Sequence, residues 1–157
     1  MILTELQKAI CRILKKEISA IQTCEVYPTI RKELVAPAVF VELVSLESGK
    51  DPGTEELALK ARFEARIVVD GTVEDSSLVV RSLAAEVARV VNKNTWEKNV
   101  SPAEFLSAEP DGFRPELDAY LVWMVDWSHQ LHLGKSVWEE GKIKPHKIAV
   151  GEMHVGK

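Results

Sequence analysis

Residues 57–70 read LALKARFEARIVVD, and this stretch decides the fold. Its odd positions are Leu57, Leu59, Ala61, Phe63, Ala65, Ile67 and Val69, while its even positions include Lys60, Arg62, Glu64, Arg66 and Asp70. Successive side chains on a strand point to opposite faces, so the pattern predicts one long strand with an apolar face and a charged face. A helical winding would scatter the same charges around its circumference.

The flanking segments supply partners for that strand. Ahead of it, AVFVELVSLE (38–47) reads as a second strand, with Val39, Val41 and Leu43 on one face and Phe40, Glu42 and Val44 on the other. SGKDPGTE joins the two and contains two glycines and a proline, which predicts an antiparallel hairpin with a projecting loop. Behind it, Val79, Val80, Leu83, Ala84, Val87, Val90 and Val91 recur at helical spacing. Thr72 is the expected N-cap of that helix, with Glu74 and Asp75 in its first turn.

An amphipathic helix is predicted over Thr4–Ala20. Thr4 and Gln7 have the spacing of a capping box, and Leu6, Ile10, Ile13, Leu14, Ile18 and Ile21 form the apolar stripe. Residues 24–27 have the length of a short strand, and Pro28 and Pro37 bracket a polar loop. Toward the other end, Ala103–Ala108 reads as a short strand. EPDGFRPE forms a tight loop, and Leu117–Leu133 makes a second long strand antiparallel to the short one. The expected fold class is therefore α/β of the α+β type. A mainly antiparallel sheet of four to five strands packs against two helices, with an extended C-terminal arm.

The chain has 157 residues, enough for a single domain with a proper core, here expected over 1–134 with an arm over 135–157. Net charge is -4, yet the arm carries five lysines against three glutamates, so the body is the more acidic part. An acidic body does not suit a general nucleic-acid binder, which would be basic over a whole face. No run of apolar residues is long enough to cross a membrane, and MILTELQKAICRILKKE lacks the apolar core of a signal peptide, so a cytoplasmic location is expected. Cys11 and Cys24 then read as free thiols. The arm contains Trp138, Ile143, Ile148 and Val150: too few apolar residues for a core, too many for a purely solvating tail. Docking onto something else and folding back on its own domain are both open to it.

Reactive residue types are present without reactive spacing. His129 and His132 face opposite sides if they lie on one strand, which does not make a metal pair. Asp126, Ser128 and His129 are triad residue types, but strand neighbours diverge. Glu109, Asp111, Glu116 and Asp118 surround a Pro/Gly loop, for which solvation is the simpler reading than a divalent-ion site. Lys60, Arg62 and Arg66 share one strand face. A water-facing surface balanced by Glu64 is the simpler reading, and contact with phosphate or acidic partner groups is the sharper one. No catalytic residue, metal or cofactor is expected.

In element order, and in APAVFVELVSLE, ARFEARIVVDG, VRSLAAEVARVV and AEPDGFRPELDAYLVWMVDWSHQL, residues 1–133 resemble Mu-like phage tail proteins of the tail terminator or tail-completion type. The resemblance implies a small non-enzymatic subunit that forms a ring, commonly hexameric. Such a ring caps the finished tail tube and offers a surface for head-completion proteins. It implies a protein made in the bacterial cytoplasm and built into the virion tail, with no membrane or sequence-specific nucleic-acid partner. Contacts in the family lie in loops and termini. The corresponding candidates are Lys50 and Asp51, Asp111 and Phe113, and Trp138, Lys142 and Lys144 of the arm, together with Arg62 and Arg66 on the charged strand face. Two alternatives stand beside this reading. One is another morphogenesis subunit, of the tube or the head–tail connector; the other is a small metal-binding protein or enzyme.

Overall fold

The computed structural model describes residues 1–26, 35–51, 53, 55–111 and 119–134. Two helices, α1 (Ile2–Glu17) and α2 (Ser76–Val91), lie with five strands: β1 (Thr23–Val26), β2 (Ala38–Ser48), β3 (Leu57–Asp70), β4 (Glu104–Pro110) and β5 (Tyr120–Leu133). The sheet order is β1-β2-β3-β5-β4, parallel between β1 and β2 and antiparallel elsewhere. The expected α+β class and hairpin are present. The stretch read first in the sequence is the central strand of the sheet.

β3 pairs along its whole length with β5, from Leu57↔Leu133 to Asp70↔Tyr120. Because β3 and β4 both run antiparallel to β5, they run parallel to each other. The segment β3–α2–β4 is thus a split β-α-β unit with β5 inserted between its strands. Both helices cover one face of the sheet. Leu6, Ile10 and Leu14 of α1 and Val80, Leu83, Val87 and Val91 of α2 close over Val39, Val41, Phe63, Ile67, Val125 and Trp127. Each large side chain so buried contributes about 1.5–3 kcal/mol, which makes this face the main source of stability. On the opposite face Ala38, Phe40, Val68 and Val122 form a smaller cluster with Tyr120 beside them.

Both helix starts differ from expectation. α1 begins at Ile2 with Met1 in the cap position, so Thr4 lies inside the first turn and forms no capping box. α2 begins at Ser76 after Asp75, a left-handed residue with φ 59° and no side-chain cap. Thr72 is spent elsewhere: its amide and hydroxyl both donate to Asp70 Oδ1, at 2.9 and 2.8 Å. Those donors hold the Asp70 carboxyl below its usual range. The apolar stripe of α2 is also narrower than expected. Val79 and Leu78 stay exposed, at 36% and 52%.

The sheet ends in two edges, β1 and β4. β1 has only four residues. β4 carries a register shift between Phe105 and Ser107 and finishes on Pro110. Cys11, on α1, is buried, and Cys24, on β1, is half-buried; both are free thiols, as expected. Contact with the Cys11 thiol and burial push the Cys24 thiol far above its ordinary value, which keeps it protonated.

Candidate functional site

The most concentrated polar chemistry lies on the sheet face that carries the even residues of β3. Antiparallel pairing sets Glu42, Glu64 and Asp126 side by side across β2, β3 and β5. Arg62 and Arg66 stand one pleat away on either side, because the side-chain repeat of a strand is two. Three like charges in a row repel unless cations are interleaved, and the two arginines do that.

Arg66 is the hub. Its Nη1 donates to Glu42 Oε1 at 2.9 Å, its Nη2 to Glu64 Oε1 at 2.8 Å and its Nε to Asp111 Oδ2 at 3.1 Å. All three guanidinium nitrogens point at carboxylates, a geometry that a lysine ammonium cannot copy. The Arg66 side chain is 10% exposed. The expectation of a water-facing charge therefore fails at this position: cross-strand and loop carboxylates cover it. Arg62 is more open, at 35%, and reaches Asp126 Oδ2 at 3.3 Å and Glu47 at 4.0 Å. Asp126 Oδ1 and Arg62 Nε are buried without a hydrogen-bond partner.

Of the residues singled out in the sequence, Arg66 and Asp111 meet directly. Nothing in their spacing announced it, because they are joined only through the β3–β5–β4 pairing. Lys50 and Asp51 sit exposed at the β2–β3 hairpin, where Asp51 Oδ1 accepts the Gly53 amide at 2.8 Å. Phe113, Trp138, Lys142 and Lys144, the arm and the carboxylates Glu116 and Asp118 all lie outside the described residues.

His129 has a structural task. It faces the helix side of β5, while His132 faces the other side and is exposed. The indole N–H of Trp96 donates to its Nε2 at 2.9 Å, and that of Trp127 donates to the same atom at 3.2 Å. An indole is only a donor, so Nε2 must be unprotonated. The ring proton therefore sits on Nδ1 and is donated to the Ser101 carbonyl at 2.7 Å. Burial lowers the His129 pKa and the Ser101 carbonyl partly opposes that. The cluster ties the turn around Trp96, itself fully buried, to the centre of the sheet. Among the described residues no three His, Cys, Asp or Glu side chains converge as metal ligands do.

A groove was not foreseen. It opens between the end of α1 and the first turns of α2, with a volume of about 680 Å³. Ile18, Leu78 and Val79 give it an apolar lining, and Glu17, Asp75 and Glu86 add carboxylates. The sequence signal was the run Leu78, Val79 and Val80: three consecutive large apolar residues sweep about 200° of a helix and cannot all face the sheet.

No known family profile matches the chain, and no curated protein matches it. Among solved structures, its fold is similar to that of a chain in the virion of a native gene transfer agent (GTA) particle. The TM-score is 0.57 at 11% identity, over 83% of this chain and 97% of that one. The likeness is one of fold.

Proposed function

We propose that this protein is a structural subunit of a phage-type particle, and within that class a tail terminator or completion subunit. It forms a closed ring on the end of the tail tube and contributes to the joining of tail and head. One observation carries the reading: the fold likeness takes in nearly the whole of a chain from a phage-like virion. The element order and phrasing of residues 1–133 support the narrower assignment. The partners are further copies of the chain, the tail tube and head-completion proteins. The subunit is made in the bacterial cytoplasm and leaves it inside the virion.

A ring needs two different patches on each subunit that fit one another around an axis. The hairpin with Lys50 and Asp51, the open side of Arg62, the β4–β5 loop with Asp111 and Phe113, and the arm with Trp138, Lys142 and Lys144 are the proposed contacts. Arg66 contributes indirectly, by holding Asp111 and the loop that follows it.

Negative-stain imaging of purified protein, with its mass measured by light scattering, tests the assignment. Closed rings of uniform size are expected. Long tubes would instead make it a tube subunit. A monomer at high concentration that also fails to decorate purified tail tubes would sink the proposal. A stoichiometric transition metal in the purified protein would move it to the metal-binding alternative.

A further inference from the structure

We propose that the groove between α1 and α2 receives the arm of a neighbouring copy, with Trp138 as its apolar anchor. This deepens the assembly proposed above and rests on it for the premise that copies meet. The groove offers exposed aliphatic surface, Leu78 at 52% and Val79 at 36%, beside three carboxylates. Arg89 pairs with Glu86 at 2.8 Å, but among the described residues no basic side chain lines the groove itself. Residues 135–157 have the complementary chemistry. Lys135, Lys142, Lys144 and Lys147 are interspersed with Trp138, Ile143, Ile148 and Val150, and Glu139 and Glu140 beside Trp138 are the acidic exceptions. An aromatic anchor with flanking cations suits an apolar floor with an acidic rim.

Chain reach decides whose Trp138 can occupy the groove. β5 ends at Leu133 beside Leu57, so the arm departs from the hairpin end of the sheet. The groove opens at the other end, where β3 has finished and α2 begins. The two ends are separated by the length of β5, about 43 Å at the usual strand rise. Glu86, the lining residue farthest along α2, brings the near rim back by about 15 Å of helix. Trp138 lies four residues beyond Gly134 and reaches at most about 14 Å from it. It cannot enter its own groove. In a head-to-tail arrangement the arm of one copy leaves next to the groove of the next, which is the unlike-patch contact that a ring requires.

Carbodiimide coupling tests this directly, because it joins carboxylates to lysines with no spacer. Light and heavy isotope-labelled full-length protein would be mixed at assembly concentration, coupled and analysed by mass spectrometry. Mixed-isotope links from Glu17, Asp75 or Glu86 to Lys135, Lys142 or Lys144 are expected. Leu78→Asp, at an exposed position, and Trp138→Ala should each abolish those links and shift the measured mass toward monomer. Links confined to single copies, or oligomers without links from the groove, would overturn the proposal. The ring reading fails separately. Open chains carrying the mixed links would refute closure and keep the arm contact; rings lacking the links would do the reverse.

Discussion

At Arg66 one guanidinium holds three carboxylates from β2, β3 and the β4–β5 loop. Arg66→Met would remove the cation that Glu42, Glu64 and Asp111 share. Breaking a buried charge network in this way costs about 3–5 kcal/mol, and urea denaturation should read a loss of that order. Arg66→Lys should recover only part, since an ammonium cannot serve three directions in one plane. By contrast Arg89→Ala, which breaks an exposed pair with Glu86, should change stability by about 0.5 kcal/mol or less. His129 gives a second residue-level test. Its folded-state pKa lies below the ordinary 6.5, so in the window beneath 6.5 the unfolded chain binds the proton more readily. Stability should therefore fall as pH drops from 6.5 toward the folded value. His129→Gln should flatten that slope, measured by urea denaturation at pH 7.5 and 5.5, even if the variant is less stable throughout. Loss of the two indole hydrogen bonds should also alter tryptophan fluorescence in the same window.

Elements differed in how plainly the sequence expressed them. The long strand was legible because its alternation is local and uninterrupted, and the hairpin followed from the glycines and proline of its loop. Helix starts were not legible. A threonine at cap spacing is only one contender for a helix end, and the Asp70 carboxylate outcompetes that role by taking the Thr72 hydroxyl. The β3–β5 pairing was illegible for a different reason. It joins residues some sixty positions apart, and nothing in either strand names the other. The Arg66–Asp111 contact and the Trp96–His129 bond inherit that difficulty. The hairpin end also carries a steric test. A Cβ on Gly49 would lie 3.0 Å from the Leu59 backbone and 2.9 Å from the Gln130 side chain. Gly49→Ala should therefore force the β2–β3 turn to shift, costing about 1–2 kcal/mol and lowering Tm by a few degrees.

Among the described residues, two apolar clusters fill the faces of one sheet, and all their members precede 134. On the proposed assembly, truncation after Gly134 should leave Tm within a few degrees and lower the oligomer mass seen by light scattering, which separates folding from association in one comparison. Where the candidate residues lie in the fold was only partly legible, because a chain read alone shows residue chemistry and not the end of the sheet from which a segment departs. β4 has a consequence of its own. An edge of unpaired backbone invites fusion with the edge of any identical molecule. Here the strand is short, its register is interrupted between Phe105 and Ser107, Pro110 offers no amide hydrogen, and Glu104 and Glu109 stand exposed along it. A molecule guarded in this way can accumulate in crowded surroundings without its sheets merging irreversibly. In the proposed assembly, side chains rather than strand edges would join one copy to the next, so a misplaced copy could come off again and be reused.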